Sequence, residues 1–175
     1  SHMLLPMVSS RDRWLSEGLA SYYQNVLRGR DGRLDEVAAW QKLHAGFERG
    51  KRATRQESLA WATRNGRDAI MRVYWSGAAM FLKADTQLRA VSGGSQSLDT
   101  ALASLQGCCK DAGRIWRARE LFKKLDQLTG HTIFMDLYDQ HVPAKEFPDL
   151  DETYAQLGLV PRASVMELDP EAPLS

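Results

Sequence analysis

The feature that most constrains this chain is the spacing of its apolar residues, which recur at three and four positions along most of the sequence. That period belongs to helices, and no convincing alternating segment breaks it before the C-terminal tail. A first helix is expected from about Arg11 to Arg28, with Leu15, Leu19, Tyr22 and Val26 on one stripe and Tyr23 and Leu27 beside it. A second is expected from about Asp35 to Phe47, after which Gly50 opens a basic connector. Residues 58–65 read equally as helix or loop. The longest helix, about Arg67 to Val91, is apolar over a wide arc that includes Ile70, Met71, Tyr74, Trp75, Phe81, Leu82 and Leu88. A stripe so broad belongs to a helix packed on several sides.

Gly93-Gly94 ends that helix, and Ser97 is placed to cap the next one, which holds Leu98, Ala101, Leu102 and Leu105. Further helices fit Ala118–Leu128, Thr132–Val142 and Asp151–Leu157, stopped by Gly130, Pro143 and Gly158. The expected fold is therefore all-α, a multi-helix bundle or array of about six to seven helices, antiparallel neighbours being favoured by short connections. Ser1-His2-Met3 matches the remnant of a cleaved purification tag. Residues 4–159 form the helical domain, and 160–175 form an irregular, acidic, proline-containing tail.

A chain of 175 residues is long enough for one sizeable core. Its formal charge of +1 points to neither nucleic acid nor an acidic partner, and no apolar run approaches the roughly 20 residues of a membrane span. Residues 49–72 do carry seven cationic side chains (Arg49, Lys51, Arg52, Arg55, Arg64, Arg67 and Arg72) against Glu57 and Asp68. No nucleic-acid motif accompanies them, so they read as a solvated connector or as a rim that receives a substrate carboxylate. Cys108 and Cys109 are neighbours on a helix, about 100° apart around its axis. They are read as two unlinked, small, half-buried side chains in keeping with a reducing compartment.

Chemistry is concentrated in Trp14-Leu15-Ser16-Glu17-Gly18-Leu19-Ala20-Ser21-Tyr22-Tyr23. Glu17 lies about 200° around the helix from Leu15 and so off the apolar stripe. Ala20, Ser21 and Gln24 share its face, with Gly18 nearby, and small residues around one carboxylate let another helix approach closely. This stretch resembles the tryptophan-x-x-glutamate-glycine segment of gluzincin zinc aminopeptidases, and most of all the glycyl-aminopeptidase family. The resemblance implies that Glu17 is the third zinc ligand, the other two coming from a His-Glu-x-x-His helix that also carries the general base. Val73-Tyr74-Trp75-Ser76-Gly77-Ala78 is similar to the tyrosine-x-lysine-glycine-alanine segment of the same families, with Ser76 in place of the lysine. That likeness makes Tyr74 the candidate donor to the developing oxyanion.

The resemblance continues through Ala84-Asp85-Thr86-Gln87-Leu88-Arg89, Ser97-Leu98-Asp99, Leu128-Thr129-Gly130, Phe134-Met135-Asp136 and Gln156-Leu157-Gly158-Leu159. No His-Glu-x-x-His occurs in the chain. His2 belongs to the tag remnant, His44 sits on an apolar face as a core residue does, and His131 and His141 are ten positions apart. At the spacing of about eighteen residues found in related aminopeptidases, the missing pair falls just before Leu4. The resemblance thus implies part of a zinc metallopeptidase, with zinc in the intact parent and none held, nor any peptide hydrolysed, by this chain alone. Its implied partners are a peptide substrate, the N-terminal part of the same enzyme, and a second copy of the chain across the surface left uncovered beside Glu17. The alternative is a helical interaction domain that kept the scaffold without the chemistry.

Overall fold

The computed structural model describes residues 5–66, 68–109, 113–162 and 165–174, so Ser1-His2-Met3 and Arg67 lie outside the described residues. Among these, eight α-helices follow one another: α1 (Arg13–Arg30), α2 (Glu36–Arg52), α3 (Leu59–Asn65), α4 (Ile70–Ser92), α5 (Leu98–Cys109), α6 (Ala118–Thr129), α7 (Ile133–His141) and α8 (Asp151–Leu157). A 3-10 turn, Ser10–Asp12, leads into α1. The all-α expectation holds, and the ambiguous segment at 58–65 is a helix capped by the Ser58 hydroxyl, which accepts from the Trp61 amide. Asp35 caps α2 in the same way, through the Ala38 amide at 2.8 Å. Helices α4, α6 and α8 end on Gly93, Gly130 and Gly158, each with positive φ.

Helix α4 is the central element. From Arg72 to Leu88 nearly every side chain is buried, with Tyr74, Lys83 and Gln87 half-buried, so it is packed on several sides. Its first turn departs from the expected stripe. Ile70 and Met71 are exposed, because the helix starts at the rim of the core rather than inside it.

Two glycine contacts set the packing around α4. A Cβ on Gly18 would lie 2.5 Å from the Gly77 Cα, and one on Gly77 would lie 2.1 Å from the Trp14 carbonyl oxygen. The main chains of α1 and α4 therefore touch, and only glycine allows it. On another side, the Trp75 ring fills the space that a side chain at Gly46 of α2 would need, and the Trp75 Cβ and the Phe147 ring fill that at Gly50. This is why α2 runs on past Gly50 to Arg52, where the sequence suggests a connector. The close approach of Trp75, with Phe47 edge-on at 5.9 Å, stabilises a turn that glycine alone would weaken.

Three buried aspartates tie the remaining helices to this frame. Asp12 accepts from the Ala118 amide at the start of α6 (3.1 Å) and from Arg117 Nε (2.6 Å). Asp85 of α4 accepts from the Leu98 amide at the start of α5 (2.7 Å), from the Tyr22 hydroxyl and from Arg89 Nε. Asp126 accepts from the Phe134 and Met135 amides at the start of α7 (2.8 and 2.9 Å). Each carboxylate satisfies first-turn N–H groups of another helix, where the helix dipole also favours negative charge. Arg72, fully buried on α4, donates instead to the carbonyls of Glu57, Ala144 and Lys145, pinning two loops with one guanidinium.

Two expectations need correction. Cys108 and Cys109 are joined by a disulfide rather than left as separate thiols. They are the last residues of α5, where the closing carbonyls have no helical partner and the backbone is held from one side only. The tail is also more regular than its composition suggests. Leu159–Pro161 (β1) pairs antiparallel with Met166–Leu168 (β2), and Met166 is buried against the helices. Strands of three residues are too short to leave a readable period.

Candidate functional site

The Gly18–Gly77 contact decides what becomes of the two residues singled out by sequence. Glu17 precedes Gly18 on α1, and Tyr74 lies three residues before Gly77 on α4. Because the two helices touch at the glycines and run in the same direction, the carboxylate and the phenol become neighbours. Both side chains are half-buried, so neither is sealed in the core. The Tyr74 pKa is raised above its ordinary value. Desolvation is the main cause, followed by the charge of the nearby Glu17 carboxylate, while Arg13 opposes the rise. A phenol is protonated at neutral pH in any case, as a hydrogen-bond donor must be, and the rise extends that state to more alkaline pH.

Arg13 stands one helical turn before Glu17, and its Nε is buried without a hydrogen-bond partner. It also lines an open cleft of about 550 Å³ together with Ser10, Arg11, Thr63, Arg64 and Ile70, which places the Arg13–Glu17–Tyr74 group at the edge of a basic opening. A more enclosed cavity of about 400 Å³ lies between α1, α2 and α4 and is lined by Tyr22, Trp40, Leu43 and Leu82. It holds none of these three residues, and of the charged groups on its wall, Arg30, Glu36, Asp85 and Arg89, Asp85 and Arg89 are paired with each other and Arg30 with Asp99.

The other sequence candidates go elsewhere. His44 is half-buried and hydrogen-bonded through Nδ1 to the Tyr154 hydroxyl at 3.0 Å, the satisfied packing expected of it. His141 is buried, with its pKa lowered to about 4 by desolvation and, secondarily, by Lys83. Ser76, where the resembling families carry lysine, is 1% exposed and its hydroxyl has no partner, so that position faces the core. The basic stretch at 49–72 does not form one face. Arg49 lies over the Trp75 ring, Arg55 bonds to the carbonyls of Arg52 and Thr54, and Arg72 is buried.

Most of the motif segments downstream of Tyr74 serve the fold. Asp85 caps α5, and Asp99 receives the Tyr23 hydroxyl at 2.5 Å and Arg30 at 2.7 Å. Sequence reading missed Asp12, Asp85 and Asp126 as a set. Their only local signal is an aspartate in otherwise ordinary helical context, and the amides they cap lie up to 106 positions away.

A catalytic zinc takes three protein ligands. No three His, Cys, Asp or Glu side chains stand together among the described residues. Glu17 offers one carboxylate donor, so these residues do not by themselves fit the ion. No helix among the described residues is long and apolar enough to cross a membrane. Comparison of the chain with protein families, with curated proteins and with solved structures yields no match.

Proposed function

We propose that this chain is the helical part of a zinc metallopeptidase of the gluzincin, aminopeptidase-like type, with Glu17 as one metal ligand and Tyr74 as donor to the oxyanion formed on the substrate carbonyl. The observation that carries the reading is that two residues 57 positions apart, chosen from separate motifs, stand side by side through a glycine–glycine helix contact. The half-buried carboxylate keeps access to incoming ligands, and the phenol is held in its donating form. In this reading the two imidazoles and the general base come from residues outside these 175, and the chain on its own is inactive.

The second reading, a non-catalytic helical interaction domain on the same scaffold, is favoured by Ser76. Its burial leaves no room at that position for the cation of the resembling families. The deciding experiment uses the natural protein. The reading frame upstream of Leu4 is inspected for a His-Glu-x-x-His sequence, and zinc content and peptidase activity are measured for wild type, Glu17→Ala and Tyr74→Phe. The peptidase reading expects one zinc per chain, lost with Glu17→Ala, and a fall of kcat with zinc retained in Tyr74→Phe, by on the order of 100-fold for an oxyanion donor. Absence of the histidine pair, or full activity in Glu17→Ala, leaves the interaction-domain reading.

A further inference from the structure

The cleft beside Glu17 and Tyr74 contains an unusual charge arrangement. Arg11, Arg13 and Arg64 all line it, and among the described residues no carboxylate does. Among the described residues none of the three lies within ion-pair distance of an acid, a state they share with Arg28, Arg49, Arg52, Arg55, Arg72 and Arg114, and what sets them apart is that they line one opening. The nearby acids are turned to other work. Asp12 is bonded to Arg117 and the Ala118 amide, and Glu17 faces Tyr74. Asp68, on the turn before α4, is exposed and does not line the cleft. Three like charges converging on one opening repel one another, and an oxyanion bound among them relieves that repulsion while accepting charge-assisted hydrogen bonds. The Arg13 Nε itself is buried and has no hydrogen-bond partner, so it is the rest of the Arg13 side chain that lines this cleft.

Position identifies the kind of anion. Arg13 and Ile70 line the cleft, and Glu17 and Tyr74 stand four residues further along the same two helices. The cleft is therefore offset from the Glu17–Tyr74 pair by one helical turn, roughly 6 Å. An extended peptide advances about 3.3–3.6 Å per residue. A peptide whose carbonyl lies at Tyr74 would thus bring a side chain one or two residues away into the cleft. Nucleic acid fits less well, since backbone recognition needs a continuous basic track, whereas Arg49, Arg55 and Arg72 are spent on a tryptophan ring and on carbonyls.

We infer that the Arg11–Arg13–Arg64 cleft is a subsite selecting peptides with an acidic side chain next to the group held at Glu17 and Tyr74. This rests on the peptidase reading above, and its test separates the two.

The test uses the chain as it stands. Two C-terminally amidated tetrapeptides, identical except for glutamate or glutamine at the second position, are titrated and followed by NMR chemical shifts, alongside inorganic phosphate and a short single-stranded oligonucleotide. The inference expects the glutamate peptide to bind about 10-fold more tightly than the glutamine peptide, the worth of one charge-assisted pair. Arg64→Gln and Arg13→Gln should each remove most of that preference, and Arg49→Gln should leave it intact. Equal binding of both peptides, or preference retained in Arg64→Gln, overturns the acidic subsite while leaving the peptide reading in place. Phosphate bound through the arginines with neither peptide binding overturns both the acidic-peptide assignment and peptide recognition. Oligonucleotide binding that is tighter than the glutamate peptide and is lost in Arg49→Gln overturns the inference in favour of a nucleic-acid track.

Discussion

Replacing Gly77 by alanine tests the helix contact on which the candidate site depends. The added Cβ would fall 2.1 Å from the Trp14 carbonyl oxygen and 2.9 Å from the Gly18 Cα, both backbone atoms that no rotamer change can move aside. Ordinary carbon–oxygen contact is more than 3 Å, so α1 and α4 must separate by roughly 1 Å at their crossing, in a core packed at crystal-like density. Overpacking of this kind costs about 1–3 kcal/mol, with the upper part expected because both neighbours are main chain, and the helix-propensity gain of alanine offsets about 0.5–1 kcal/mol of it. The matched control is Gly107→Ala on α5, whose Cβ would meet nothing within 4 Å. There the gain in helix propensity is expected to stabilise by about 0.5–1 kcal/mol. Urea unfolding followed by far-UV circular dichroism reads both as shifts of midpoint at unchanged slope. If Gly77→Ala is as stable as wild type, or moves in the same direction as Gly107→Ala, the helices are not in main-chain contact, and the reason for placing Glu17 beside Tyr74 is gone.

Three other outcomes follow from the electrostatics. Glu17→Gln is expected to lower the Tyr74 pKa towards 10 without reaching it, because desolvation, the larger cause, remains; NMR titration of ring-labelled tyrosine measures this, and no change refutes the pairing. His141 has a folded pKa of about 4 against an ordinary 6.5, so the unfolded chain binds more protons between those values. The stability His141 contributes is complete above pH 6.5 and falls away as the pH drops towards 4, by up to about 3 kcal/mol. Denaturation midpoints across that window, compared with His141→Leu, should show a shallower acid loss in the variant. Asp126→Ala strands the Phe134 and Met135 amides and is expected to cost about 2 kcal/mol in thermal or urea unfolding, with Asp136→Ala, whose exposed carboxylate caps no amide, close to neutral.

The apolar stripes were legible because burial on one side imposes the helical period. Leu15, Leu19 and Tyr22 are buried as their spacing implies, and Ser97 caps Thr100 as its position implies. Less legible were features that depend on residues far apart in the chain. Gly50 looks like a helix stop until the Trp75 side chain is placed against it, and Arg72 looks like part of a solvated basic run until its three carbonyl partners are assembled around it. The site divides in the same way. Glu17 and Tyr74, the residues proposed for the site, were singled out from short motifs, and their adjacency is a product of the fold. The Arg11–Arg13–Arg64 cleft draws on α3 and on the approach to α1, which no linear pattern joins.

The borrowed caps have a consequence for how the molecule comes apart. The first turn of α6 is completed by Asp12 and that of α7 by Asp126, with no side-chain cap from Arg117 or Thr132. Within α6 Glu120 holds only the Arg117 amide, whereas the Ala118 amide and the first amides of α7 are held by carboxylates outside their own helices, so the amino-terminal region and residues 117–135 form a single cooperative unit. Amide exchange at Ala118 should be as slow as in the middle of α1, and a protease cut between these regions should release no stable piece. Melting then begins at the small hairpin of β1 and β2, which borrows nothing from Asp12, Asp85 or Asp126.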